Sequence, residues 1–259
     1  MGTSAISQIR RKVLVFILNY HWFRSGRGTV LEAYGFLVWD LVAVTWFLAL
    51  WIGYTLFAKK RARVVSCLSF ELRRKRTDWM RQMLLRDNKM ADVALISTLE
   101  RNVSFFASSS MLILAGLLTA IASSDKIALV MLQVLPWLDH VDGLLQFKLL
   151  FLGLIYVFTF FQFTWSLRQY GFGGVLIGAA PDGRDLTEAD LMLYANRAAK
   201  VIDQAAHSFN YGLRAIYFSL ATLAWFIDAR LFMLATVLVL LIMKHREFHS
   251  KALKALQEV

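Results

Sequence analysis

Residues 36–57 read FLVWDLVAVTWFLALWIGYTLF, and Lys59, Lys60, Arg61 and Arg63 follow at once. An apolar run of about 20 residues is what crosses roughly 30 Å of hydrocarbon at 1.5 Å per residue. The basic wall behind it marks the end held in the cytoplasm, because Lys and Arg accumulate in cytoplasmic connections. This stretch therefore reads as a membrane span that enters from outside, with Trp39, Trp51 and Tyr54 suited to headgroup depth.

The same grammar repeats along the chain. Arg73, Arg74, Lys75, Arg76, Arg81, Arg86, Lys89 and Arg101 carry the basic bias up to a second apolar run, Val103 to Ala122. The segment Ser123 to Gln146 then holds Asp125, Asp139 and Asp142, with Lys126 as its only Lys or Arg and with Pro136 and Gly143 as punctuation, as an external loop should. A third run, Phe147 to Leu167, returns to Arg168. The last apolar stretch, Tyr211 to Met243, is interrupted by Asp228-Ala229-Arg230. One long tilted helix would put the basic tail (Lys244, His245, Arg246, Lys251, Lys254) outside, whereas a hairpin turning at Asp228 brings it back. Charge bias selects the hairpin, and a re-entrant pair that never fully crosses would leave the tail on the same side. The fold class is thus all-α: a polytopic membrane protein of about five membrane segments, with the amino terminus outside and the carboxyl terminus cytoplasmic, in a bacterial inner (plasma) membrane.

Composition agrees. The 259 residues are 58% hydrophobic yet include 29 Lys+Arg against 18 Asp+Glu, so apolar and charged residues are segregated. The net charge of +11 abuts apolar runs, where orientation in the bilayer explains it, so nucleic acid is not the expected partner. The single cysteine, Cys67, excludes an intramolecular disulfide. Arg10, Arg11 and Lys12 before Val13 to Leu18 mimic a signal peptide, but Asn19, Tyr20, His21, Trp22 and Phe23 stand where a small-residue cleavage site belongs. Residues 1–35 read as an uncleaved interfacial extension and 36–259 as one transmembrane domain.

Two connecting segments carry helical periodicity. Between Leu72 and Arg101, Met80, Met83, Leu84, Ala91, Ala94, Leu95 and Leu99 form one apolar stripe on an otherwise charged helix, suited to lie on anionic lipid headgroups or to dock against a second cytoplasmic helix. After a turn at Pro181-Asp182-Gly183, Thr187 is placed to cap a helix with Asp190 three residues on. Along it Leu191, Tyr194, Ala198, Val201, Ile202, Ala205 and Phe209 recur, with Arg197, Lys200, Asp203 and Gln204 elsewhere, giving an amphipathic cytoplasmic helix.

Chemistry is sparse. His245 and His249 lie four apart, but the intervening glutamate is not next to the first histidine, as a zinc-protease helix needs. Gly171, Gly173, Gly174 and Gly178 lack the Gly-Lys-Ser/Thr of a phosphate loop and read as ending the third span. With no converging catalytic set, no enzyme, metal or cofactor is expected. Asp40 stands out, since a carboxylate within a span costs about 2.5–3.5 kcal/mol at mid-membrane. It is kept there by interfacial water, by a role as an ion-pathway ligand, or by Arg230 as an outer-leaflet partner. Arg214 near the opposite end suits a snorkelling anchor. Ser104, Ser108, Ser109 and Ser110, with Gln162, Thr164 and Ser166 at a matching depth, either pack helices or line a hydrated path. The small Ala115, Gly116, Thr119 and Ala120 favour packing, and Phe158, Phe160, Phe161, Phe163 and Trp165 make the third span bulky.

The stretches WMRQMLLRDNKMADVALISTLERNVSFFASSSMLILAGLL, FTWSLRQY, LIGAAPDG, FNYGLRAIYFSLA and KHREFHSKAL resemble a bacterial and plant membrane family, domain of unknown function 599, over roughly Asp40 to Leu256. The chain departs from that family's usual pattern at Lys89 and at Gly171 to Gly174. The resemblance implies polytopic membrane character and no known activity. It directs attention to Arg86, Asp87 and Asn88 and to Ser166, Arg168 and Gln169, polar positions at the cytoplasmic membrane face and, with Arg214, a candidate interface there. Two functions remain open. One is a homo-oligomeric ion or small-solute channel, in which a ring of copies supplies the lumen that about five short helices cannot. The other is a non-catalytic scaffold or accessory subunit that docks a partner on its cytoplasmic helices. A secondary transporter fits less well, since no duplicated halves are visible.

Overall fold

A computed structural model describes residues 30–61, 67–134 and 144–257, and among them the regular structure is helical throughout, with no strand. The expected interfacial extension lies outside the described residues up to position 29, as do Arg63, Pro136, Asp139 and Asp142. In chain order the helices are α1 (Val30–Arg61), α2 (Leu68–Leu84), α3 (Met90–Ala122), α4 (Ser124–Val134) and α5 (Leu145–Gly178). A 3-10 turn (Gly183–Asp185) then leads to α6 (Glu188–Trp225), α7 (Ala229–Phe248) and α8 (Lys251–Gln257). Among the described residues three helices are long and apolar enough to cross a membrane: α1 over Val38–Ala58, α3 and α5.

Helices α3, α5 and α6 are each far longer than a span requires. The 33, 34 and 38 residues of α3, α5 and α6 correspond to about 50–57 Å, against roughly 30 Å of hydrocarbon. The excess lies at the Lys/Arg-rich end, where α2 packs against α6. Two hydrophobic cores follow from this. One joins α1, α5, α6 and α7 through Ala43, Phe47, Tyr54, Ile155, Ala215, Phe218, Trp225 and Phe232. The other joins α2, α3, α5 and α6 at the basic end through Met80, Met83, Ile96, Phe163, Ile177, Leu191, Ala198 and Ile202.

The α5–α6 pair belongs to both cores, and its register is antiparallel. Tyr156 meets Ser219, Ser166 meets Ala205, and Leu176 meets Tyr194. Close approach is possible because α6 turns Ala195, Ala198, Ala199, Ala205, Ala206, Ser208, Gly212, Ala215 and Ala221 inward, and small side chains let helix backbones come together in lipid. At Gly212 a Cβ would sit 2.5 Å from the Phe163 ring, so the glycine is the space that the phenylalanine fills.

Several expectations change. The glycines expected to end the third span do not form a loop: α5 continues to Gly178, and Gly173 supplies room for Ile202, whose Cγ1 would lie 3.1 Å from an added Cβ. The single stripe expected between Leu72 and Arg101 is two helices, broken at Leu85–Lys89, where the Asn88 side chain accepts the backbone N–H of Met90. Met80, Met83 and Leu84 are buried as expected, but beyond the break the buried face is Asp92, Ile96 and Val103, while Ala91, Ala94 and Leu95 are exposed. The break resets the phase of the helix.

Elsewhere the local signals hold. Thr187 caps α6, its Oγ1 accepting the Asp190 N–H at 3.2 Å and donating to Asp190 Oδ2 at 2.7 Å. The chain turns at Asp228, whose carboxylate accepts the N–H groups of Arg230 (2.6 Å) and Leu231 (3.4 Å) to start α7. Trp225 and Phe232 stack across this turn with ring centroids 5.1 Å apart. Tyr211–Met243 is therefore a helical hairpin rather than one long helix.

Candidate functional site

At the Asp228 end of the bundle three side chains from three helices converge. Trp225 Nε1 donates to Asp40 Oδ1 at 2.5 Å, Lys148 Nζ lies 3.9 Å from the same oxygen, and Lys148 also donates to the Trp225 carbonyl at 3.0 Å. That carbonyl belongs to the last residue of α6, where helix carbonyls lack intrahelical donors and the helix dipole favours a cation. Lys148 thus satisfies a helix end and faces a carboxylate. All three residues are buried, Asp40 at 5% exposure, Lys148 at 4% and Trp225 at 0%. Arg230, one candidate partner for Asp40, stands 5.3 Å over the ring of the neighbouring Trp39.

From this triad a series of buried polar side chains descends along the α5–α6 interface. Thr222 comes first, its hydroxyl on Ser219 O at 2.6 Å. Ser219 Oγ lies 3.2 Å from Tyr156 Oη across the interface, and Thr159 follows one turn further along α5. Phe163, wholly buried against Gly212, interrupts the series. Beyond it Ser166 donates to Ala205 O at 2.7 Å, and Ser208 donates to Gln169 Oε1 at 3.1 Å. Each of these polar residues is buried.

The series ends at Asp203. Its carboxylate is 2% exposed and is held by Arg73 and Arg76 of α2, each at 2.8 Å, while His207 Nε2 lies 3.4 Å away, half-open to solvent. Burial alone would raise the Asp203 carboxyl, but hydrogen bonding and charge from His207, and then from Arg73, outweigh it and hold the group below the ordinary carboxylate range. A second carboxylate on α3, Asp92, accepts from Trp79 Nε1 at 2.7 Å and from Arg86 at 2.5 Å.

The serines that the sequence grouped do not come together. Ser104 and Ser108 face outward from α3, while the half-buried Ser109 and the buried Ser110 bond to carbonyls of their own helix, Phe105 and Phe106. Of Gln162, Thr164 and Ser166, the first two are only half-buried, Thr164 bonds within α5, and Ser166 alone faces α6. The candidate interface positions are largely occupied within the chain. Arg86 pairs with Asp92, Asp87 with Arg184, Gln169 with Ser208, and Arg214 lies over the Tyr54 and Tyr211 rings with Glu247 3.9 Å away. Arg168 is exposed and lies over Phe172. The His245 and His249 rings stack 5.9 Å apart, and no group of three or more metal-ligating side chains occurs among the described residues.

The sequence reading missed Lys148, Asp203, Asp92, Tyr156, Thr159, Ser219 and Thr222. Only Lys148 carried a usable signal, as a lysine inside the third span that needs a carboxylate, with Asp40 the obvious complement.

A family described as "Protein of unknown function, DUF599" matches residues 42–252. The chain belongs to this family. The DUF599 region takes in Lys148, Trp225 and the whole α5–α6 interface and begins two residues after Asp40. No curated protein and no solved structure matches the chain.

Proposed function

We propose that this DUF599 protein crosses a bacterial inner membrane five times, amino terminus outside and carboxyl terminus in the cytoplasm, and assembles from identical copies into a channel for an ion or small solute. The crossings would be α1, α3, α5, the second half of α6, and α7. The basic stretches around α2 and from Lys244 through α8 favour this orientation, and they would also meet anionic headgroups of the inner leaflet.

One observation carries the assembly. Only 11% of the most apolar part of α3 is buried within its own chain, against 44% for α5. Its inward face, Val103, Ala107 and Ser110, is satisfied by α5, whereas its outward face alternates Phe105 and Leu112 with the small Ser108, Ala115, Gly116 and Thr119. An added Cβ at Gly116 would meet nothing within 4 Å, so that face has room for a neighbouring helix. A hydrated ion needs a lumen, and Phe47, Phe218, Trp225 and Phe232 fill the interior of each copy, so its path would run between copies. The scaffold reading is weaker, because the apolar faces of α2 and of the first half of α6 are turned toward each other. Purified protein should run as a closed oligomer and render liposomes leaky to a particular ion or solute. A strict monomer in tight liposomes would defeat the reading.

A further inference from the structure

We propose that the α5–α6 interface of each chain is a proton relay, running from Asp40 and Lys148 at one end to Asp203 and His207 at the other, with Phe163 as its gate. The proposal rests on the chain lying in a membrane but not on its assembly, because a proton passed between hydroxyls needs no lumen. Buried polar groups in a membrane bundle are kept where they are paired or where they carry charge across. Here Thr222, Ser219, Tyr156, Thr159, Ser166 and Ser208 mark one interface from end to end, and each is at most 8% exposed.

The chemistry asks little of them. A hydroxyl both donates and accepts a hydrogen bond, so each rung can take a proton on one side and release another on the opposite side. Reversal of the hydroxyls restores the starting state, and each cycle moves one proton with no bond to carbon broken and no electron transferred. Ser219 and Tyr156 already face each other at 3.2 Å. Thr222, Thr159 and Ser219 also rest on carbonyls of their own helices, at Ser219, Ile155 and Ile216, and Ser166 rests on Ala205 O across the interface; each hands on by rotating about χ1. At the Gln169 level the Ser208 hydroxyl is the rung, and the amide oxygen orients it. His207, 39% exposed at its side chain, opens the Asp203 end to solvent.

The interval at Phe163 is too wide for direct transfer. Thr159 and Ser166 are seven residues apart, about 10 Å along the helix, against about 3 Å for a hydrogen bond. Phe163 fills that interval and presses on Gly212. Swinging its ring aside would admit the few waters that complete the relay.

The test uses full-length protein in liposomes containing a pH-sensitive dye, with a pH gradient imposed and charge compensated by valinomycin and potassium, alongside a separate potassium-flux assay without valinomycin. Proton entry should exceed that of empty vesicles, and Tyr156→Phe and Ser219→Ala should each cut it about tenfold while melting and elution stay near those of the parent. Phe163→Ala should raise it severalfold. A tight parent with a proton-leaky Phe163→Ala also supports the relay, with the gate shut at rest. Proton entry that ignores Tyr156→Phe and Ser219→Ala overturns the relay, as does a Phe163→Ala protein as tight as empty vesicles. Potassium leak without variant-sensitive proton entry overturns the relay and leaves the inter-copy channel standing, whereas vesicles tight to both ions and to small solutes remove both.

Discussion

Trp225 and Asp40, 185 positions apart, meet through one hydrogen bond of 2.5 Å inside the bundle, and Lys148 sits against both. This junction ties α1 to the α5–α6 pair. Removing one partner of a buried ion pair strands the other charge, which typically costs about 3–5 kcal/mol, whereas replacing both with apolar groups is often neutral. Asp40→Leu and Lys148→Met should each lower the melting temperature sharply in detergent. The double variant should be more stable than the sum of the single losses predicts, and a double-mutant cycle by thermal or denaturant unfolding reads the coupling.

Gly212→Ala would place a methyl group 2.5 Å from the Phe163 ring. Overpacking of this kind costs about 1–3 kcal/mol. The variant should melt earlier than the parent, and adding Phe163→Leu, which clears the space, should restore most of the loss.

Asp203 holds α2 to α6 through Arg73 and Arg76. Its carboxyl lies below the ordinary range in the folded chain, so its contribution to stability is present above the unfolded carboxylate value of about 4 and is lost as pH falls through the lower folded value. Asp203→Asn should therefore be less stable than the parent at pH 7, with α2 cut faster by added protease. The difference should shrink on acidification below about pH 4.

The helices were the legible part of the fold. Runs such as Phe36 to Phe57 and Phe147 to Leu167 lie in helices long and apolar enough to cross a membrane, and the cap at Thr187 and the turn at Asp228 are local chemistry that sequence spacing encodes. The illegible part depends on phase and on partners. Asn88 breaks a helix and rotates everything after it, so a stripe continued from Met80 through Leu95 lands on the wrong face. Gly173 looks like a helix end until Ile202 arrives from α6 to use its space. A serine in an apolar helix can bond to its own carbonyl or reach across, and nothing local separates Ser109, which bonds within α3, from Ser166, which reaches Ala205. The α5–α6 series appears only when two distant helices are set in register.

The α3 outward face gives a separate prediction for assembly. A cysteine at Ser108, in a chain whose Cys67 is buried, should form disulfide-linked dimers in membranes under mild oxidation. A cysteine at Ser110, which faces inward, should not. Equal cross-linking at both positions would argue for collision rather than a defined interface.

The proposed orientation of the bundle in lipid is tested most directly by site-directed cysteine labelling. With Cys67 replaced by alanine, a membrane-impermeant maleimide applied to intact cells, or to spheroplasts if an outer membrane intervenes, should label Lys126→Cys in α4. It should reach Lys75→Cys in α2 only after the membrane is opened. Labelling of Lys75→Cys in sealed cells, or recovery of the chain in the soluble fraction without detergent, would contradict the account.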